Sequence, residues 1–170
     1  MKYFYDTEFH DDGKTIDLIS IGIVAADGRE YYAVNAEAEW DRIRKHEWLA
    51  ANVVNHLPHP GEWKPKAQIK REVADFLLDG APEDLPELWA WFAAYDHVVL
   101  SQLFGRMLDM PDGIPMYTHD LRAFIDYVKV YRLPVQEFGQ HDALEDARHL
   151  KVVHDHVMEG AFSVRQSHAK

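Results

Sequence analysis

The chain has 170 residues, a formal net charge of -11 with histidine neutral, and no cysteine. It can therefore hold neither a disulfide framework nor a thiolate metal site, and it lacks the basic face that broad, non-specific binding to duplex nucleic acid requires. Its hydrophobic content, 47%, is that of a globular protein, and no apolar run reaches the ~20 residues needed to cross a bilayer. The start, MKYFYD, has no signal-peptide h-region, so a cytoplasmic protein is expected, with one domain over residues 1–159 and a frayed tail over 160–170.

In chain order, YFYDTEF at residues 3–9 and TIDLISIGIVAADG at 15–28 read as strands. Gly28 marks the reversal into a third strand, EYYAV at 30–34, which makes an antiparallel meander. Residues 36–57 have helical composition and end at Pro58 and Pro60. KAQIKREVADFLLDG predicts a helix with Ile69, Val73, Phe76 and Leu77 on one face and Gly80 as its cap. LWAWF at 88–92 predicts a strand. DHVVLSQLFG, LRAFIDYVKVYRL and ALEDARHLKVVHDHVM predict three further helices. A meander followed by alternating helices and strands implies an α/β domain with a mixed sheet.

Candidate chemistry is concentrated in three places. Asp6 and Glu8 interrupt an apolar strand; at period two they share one face, their α-carbons ~7 Å apart, while Thr7 faces the other way. Asp96 follows a predicted strand and opens a helix, where it would serve as an N-cap or as a ligand. His141 and Asp146 flank a late helix start, GQHDALEDA, where Asp142 and Glu145 suit the helix dipole without further function. Four carboxylates suffice to hold two divalent ions ~3.5–4 Å apart, an arrangement suited to in-line phosphoryl displacement. Magnesium accepts such oxygen ligands, with manganese an alternative. Histidine, which titrates near ~6.5, suits a general base at His141.

DTEF, the YDH around Asp96 and HDALEDA together resemble the three motifs of the DEDDh subgroup of DnaQ-like, RNase T-type 3′–5′ exonucleases. Within that group the sequence is most similar to the polyadenylate-specific RNase AS type, over roughly residues 2–155 and more loosely over 36–80. The resemblance implies an RNase H-like fold and a homodimer. It also implies metal-dependent release of nucleoside 5′-monophosphates from single-stranded RNA ending in adenosines. Asp6, Glu8, Asp96 and Asp146 match the metal-binding carboxylates, and His141 matches the general base. Phe9 is the first candidate for stacking on a terminal base. Glu8 is a candidate for contacting a 2′-hydroxyl, and His97 for positioning substrate.

Other features have plainer explanations. Trp89 and Trp91, two apart on the predicted strand, read as packing residues on one face. Lys64, Lys66, Lys70 and Arg71 read as a solvated helix face, and His154 and His156 as surface residues. His-Asp pairs at His119, His141 and His154 would suit an HD-type phosphohydrolase, but such domains are helical and the first 35 residues are β-rich. A DNA- or oligonucleotide-specific exonuclease, and an inactive RNA-binding module, are the remaining alternatives.

Overall fold

The computed structural model describes residues 1–79, 85–130 and 132–167, the last seven as backbone. The expected meander forms as β1 (Lys2–Asp11), β2 (Ile16–Ala25) and β3 (Glu30–Val34), and Gly28 makes the reversal at a φ of 92°, a region that costs glycine nothing. β4 (Glu87–Ala90) and β5 (His119–Asp120) complete a five-stranded sheet in the order β3-β2-β1-β4-β5. β1 pairs antiparallel with β2 and parallel with β4. The sheet is thus mixed and β1 is its centre, the α/β arrangement of an RNase H-like exonuclease fold. β5, of two residues, has no counterpart among the predicted elements.

Alternation along β1 assigns its two faces. Tyr3 and Tyr5 join a core with Ile21, Leu88, and Ile69 and Leu100. The last two come from α3 (Lys66–Leu78) and α4 (Ala94–Phe104). Phe4 points the other way into a cluster with Trp89, Leu121, Ile125, Leu150 and Val153. Those residues tie the sheet to α5 (Leu121–Val128) and α6 (Ala143–Ser167). Burying each large side chain contributes about 1.5–3 kcal/mol, so both faces are held firmly. Asp6 and Glu8 continue the Phe4 side of the strand and Thr7 the Tyr3 side.

Several expectations need correction. Residues 36–57 are not one helix but α1 (Trp40–Ile43), α2 (Glu47–Asn52) and a short 3-10 turn. Ile43, Leu49 and Val53 all pack with Ile19. Ile43 and Leu49 are six apart, which in one continuous helix would put them on different faces; a break capped by His46 resolves the conflict. His154 is not at the surface. It is 2% exposed, lies 4.8 Å from both Phe4 and Trp89, and burial lowers its pKa despite the Asp155 carboxylate beside it. The backbone of α6 stays helical through Gly160 to Ser167. The cap expected at Gly80 lies outside the described residues. Among the described residues no helix is long and apolar enough to cross a membrane.

Candidate active site

β1 carries Asp6 and Glu8 directly opposite Gly22 and Ser20 of β2. A bulge between Glu8 and Phe9 ends the regular ladder at that point, and such irregularities re-aim side chains. Glycine at position 22 is a packing requirement. A Cβ there would lie 2.3 Å from the Ala143 carbonyl oxygen and 2.4 Å from the Leu144 nitrogen. The first turn of α6 therefore rests on the β2 backbone, which brings Asp146 and His141 over the strand.

Asp96 is the third residue of α4, not its cap. One oxygen, Oδ1, accepts from both the Thr7 backbone N–H at 2.9 Å and the Thr7 hydroxyl at 2.6 Å. The residue next to Glu8 thus orients the carboxylate that arrives from another element. Asp142 caps α6 by accepting from the Leu144 and Glu145 N–H groups. His141, before it, adopts φ 65°. Its backbone N–H donates to Asp146 Oδ2 at 2.9 Å, while Gln136 Nε2 donates to Oδ1 at 2.6 Å. Trp48 of α2 meets the His141 ring edge-on, with centroids 4.8 Å apart.

Ligand atoms of Glu8, His141 and Asp146 all lie within 4.8 Å of one another. Burial raises Asp6 well above the carboxylate range, reinforced by Asp96, Glu8 and Asp146. Burial raises Glu8 to about 8, with Asp146 and Asp96 adding to it. Asp96, 5% exposed, is raised by burial to about 6 although both Thr7 hydrogen bonds pull it down. Asp146 is also raised by burial, against the Gln136 and His141 hydrogen bonds. Among the described residues no Lys or Arg neutralises this group. A set of carboxylates, Glu8 and Asp96 buried and Asp6 and Asp146 half-buried, with no Lys or Arg counter-charge among the described residues fits hard divalent cations.

The cluster opens into a cavity of about 320 Å³ that includes Phe9, Trp91, Phe92 and Tyr95 in its lining. Phe9 and Tyr95 stack at 5.6 Å with their planes 4° apart. Tyr95 was visible in the sequence as the aromatic beside Asp96, but its meeting with Phe9 depends on how α4 docks against β1. Trp91 corrects one expectation: β4 ends at Ala90, so Trp91 lies past the strand; it still packs against the Trp89 cluster, as expected, and also lines the cavity. The structure brings together Asp6, Glu8, Phe9, Asp96, His141 and Asp146. It does not bring His97 to this cavity; its Nδ1 lies 3.0 Å from the Thr118 hydroxyl, and burial lowers its pKa. Lys64 pairs with Glu72, and Lys70 and Arg71 donate to backbone carbonyls away from the cavity.

Residues 1–158 match the family model described as the 3'-5' exoribonuclease Rv2179c-like domain. The chain belongs to that family. It is 48% identical over 151 residues to the 3'-5' exoribonuclease Rv2179c of Mycobacterium tuberculosis (strain ATCC 25618 / H37Rv), covering 87% of this chain and 88% of that protein. A relative from strain CDC 1551 / Oshkosh, also called a 3'-5' exoribonuclease, matches to the same extent.

Proposed function

We propose that this family member is a metal-dependent 3′–5′ exoribonuclease of the DEDDh type. It removes nucleoside 5′-monophosphates from single-stranded RNA and prefers adenosine ends. The observation that carries this reading is the convergence of four carboxylates, none neutralised by Lys or Arg among the described residues, with His141 at the mouth of an aromatic cavity. Asp6, Glu8, Asp96 and Asp146 would hold two divalent ions, Mg²⁺ or Mn²⁺. Bound there, such ions supply Lewis acidity to the scissile phosphate and the departing 3′ oxygen.

The chain's own residues do the rest. An imidazole nitrogen of His141 takes a proton from the attacking water, whose oxygen bonds to phosphorus as the bond to the 3′ oxygen breaks. Phe9 and Tyr95 offer an aromatic platform to the terminal base, a contact worth about 1–3 kcal/mol. Thr7 and Gln136 hold the two helix-borne carboxylates in place. The homodimer is part of the same proposal, and the exposed Leu108, Tyr127 and Phe138 supply apolar surface for it.

Digestion of 5′-labelled RNA and DNA oligomers with varied 3′ ends, with magnesium, manganese or chelator, tests the reading. A chelator-sensitive RNA ladder, fastest from adenosine ends, is expected. A ladder from DNA alone would move the substrate, and no ladder from folded protein would leave a binding module.

A further inference from the structure

A second, larger cavity of about 540 Å³ lies against the same carboxylates. It shares Asp6, Trp91, His141 and Asp146 with the smaller one, so the proposed metal site lies on the boundary between them. We propose that this larger cavity is a subsite for the nucleobase on the 5′ side of the scissile phosphate, the penultimate base of the RNA; the inference rests on the exoribonuclease reading above.

A scissile phosphodiester joins two nucleosides, and both must find room beside the group that holds the phosphate. With the terminal base against Phe9 and Tyr95, its neighbour needs a surface beyond the shared wall. The chemistry of the larger cavity suits a base. Its apolar walls are Leu133, Pro134, Val135, Leu150 and Val153, with the Trp91 indole at the boundary. Among the described residues its lining includes no Lys or Arg and no carboxylate beyond the shared pair, so it offers a phosphate no cationic partner and an uncharged ring a largely apolar wall. Its size falls within the ~300–1,000 Å³ typical of pockets for small organic groups.

Three polar side chains could meet the edge of that base. The Gln136 amide nitrogen is committed to Asp146, and the Gln140 amide nitrogen to the Gln136 backbone carbonyl. Each leaves its side-chain oxygen as an acceptor for an exocyclic amino group. His149, one turn beyond Asp146, is half-buried in the cavity wall, and its imidazole has no hydrogen-bond partner among the described residues. Because Gln136 also holds Asp146, occupancy of this cavity bears on the carboxylate that borders it.

The test uses the full chain with magnesium and 5′-labelled RNA oligomers carrying one abasic nucleotide at the terminal, penultimate or third position. Release of the first nucleotide is read as kcat/KM. The penultimate abasic substitution should lower it about tenfold, and the third-position one by no more than about twofold, on the scale of lost base stacking. The penultimate penalty should shrink to about twofold or less in His149→Ala and in Val135→Asp, on the same scale. Val135 is 82% exposed, so its replacement leaves the core intact. A penultimate abasic RNA cut as fast as the intact one, or a penalty unchanged in both variants, would overturn the subsite.

Fluorescence anisotropy of the same oligomers separates this inference from the reading beneath it. Binding without release of any nucleotide would overturn the hydrolytic reading alone; the subsite is then supported if the penultimate abasic RNA binds about tenfold more weakly and overturned if it binds equally. Neither binding nor release would overturn both.

Discussion

The four carboxylates of the site fall into two pairs held in different ways. Asp96 and Asp146, on helices, each accept two hydrogen bonds, from Thr7 in one case and from Gln136 and His141 in the other. Asp6 and Glu8, on β1, accept none among the described residues, and their pKa values are driven up by burial and by neighbouring carboxylates. The helix pair is preorganised by the protein. The strand pair carries unrelieved repulsion, which cations would remove. Geometry and electrostatic demand thus reside on different elements, and substitutions should separate them.

The largest effect is expected from Asp6→Asn. Hydrolysis should fall to background while the metal-free protein melts at the same temperature or higher, because a repelling carboxylate has gone. Hydrolysis assays beside thermal melts check both halves, and a large loss of stability would refute the contrast between the pairs. His141→Ala should lose about 10²–10⁴-fold in rate, with the acid limb of the pH–rate profile flattened; single-turnover rates across pH would show it. Thr7→Val, which removes the hydroxyl donor but keeps the backbone one, should cost about 10–100-fold in metal affinity or activity. It should also destabilise the fold, the opposite sign from Asp6→Asn.

Stability against pH gives a smaller effect with a definite sign. All four carboxylates have folded pKa values above their unfolded ones, so over the intervening pH range the folded state binds more protons than the unfolded state. Their contribution is therefore greatest at low pH and is lost as pH rises through the folded values, about 6 for Asp96 and about 8 for Glu8. Each such group contributes a slope of up to ~1.4 kcal/mol per pH unit. Chelated protein should lose melting temperature from pH ~5 to ~8, and magnesium should flatten the loss.

How far the sequence showed this arrangement depends on the range of the forces involved. The meander and the common face of Asp6 and Glu8 follow from period-two alternation, a local property, and the Asp142 cap follows from helix-start chemistry. Gly22, by contrast, sits among the apolar residues Ile21, Ile23 and Val24 of β2, and its need for a bare Cα appears only when Ala143 lies across it. Trp91 looked like a second strand residue beside Trp89. The chain instead turns at Phe92, which takes a left-handed φ of 52°, and Trp91 enters the site. His154 looked polar and external, yet the helix face it shares with Leu150 and Val157 carries it against Phe4 and Trp89. Each of these depends on packing between elements distant in sequence.

Calorimetric titration of Mn²⁺ into the protein at neutral pH, beside Asp6→Asn, tests the central claim most directly. The account predicts saturable binding of about two ions per chain, as a two-metal site requires, with affinity or stoichiometry sharply reduced in the variant. No saturable binding, or binding indifferent to the loss of Asp6, would contradict it.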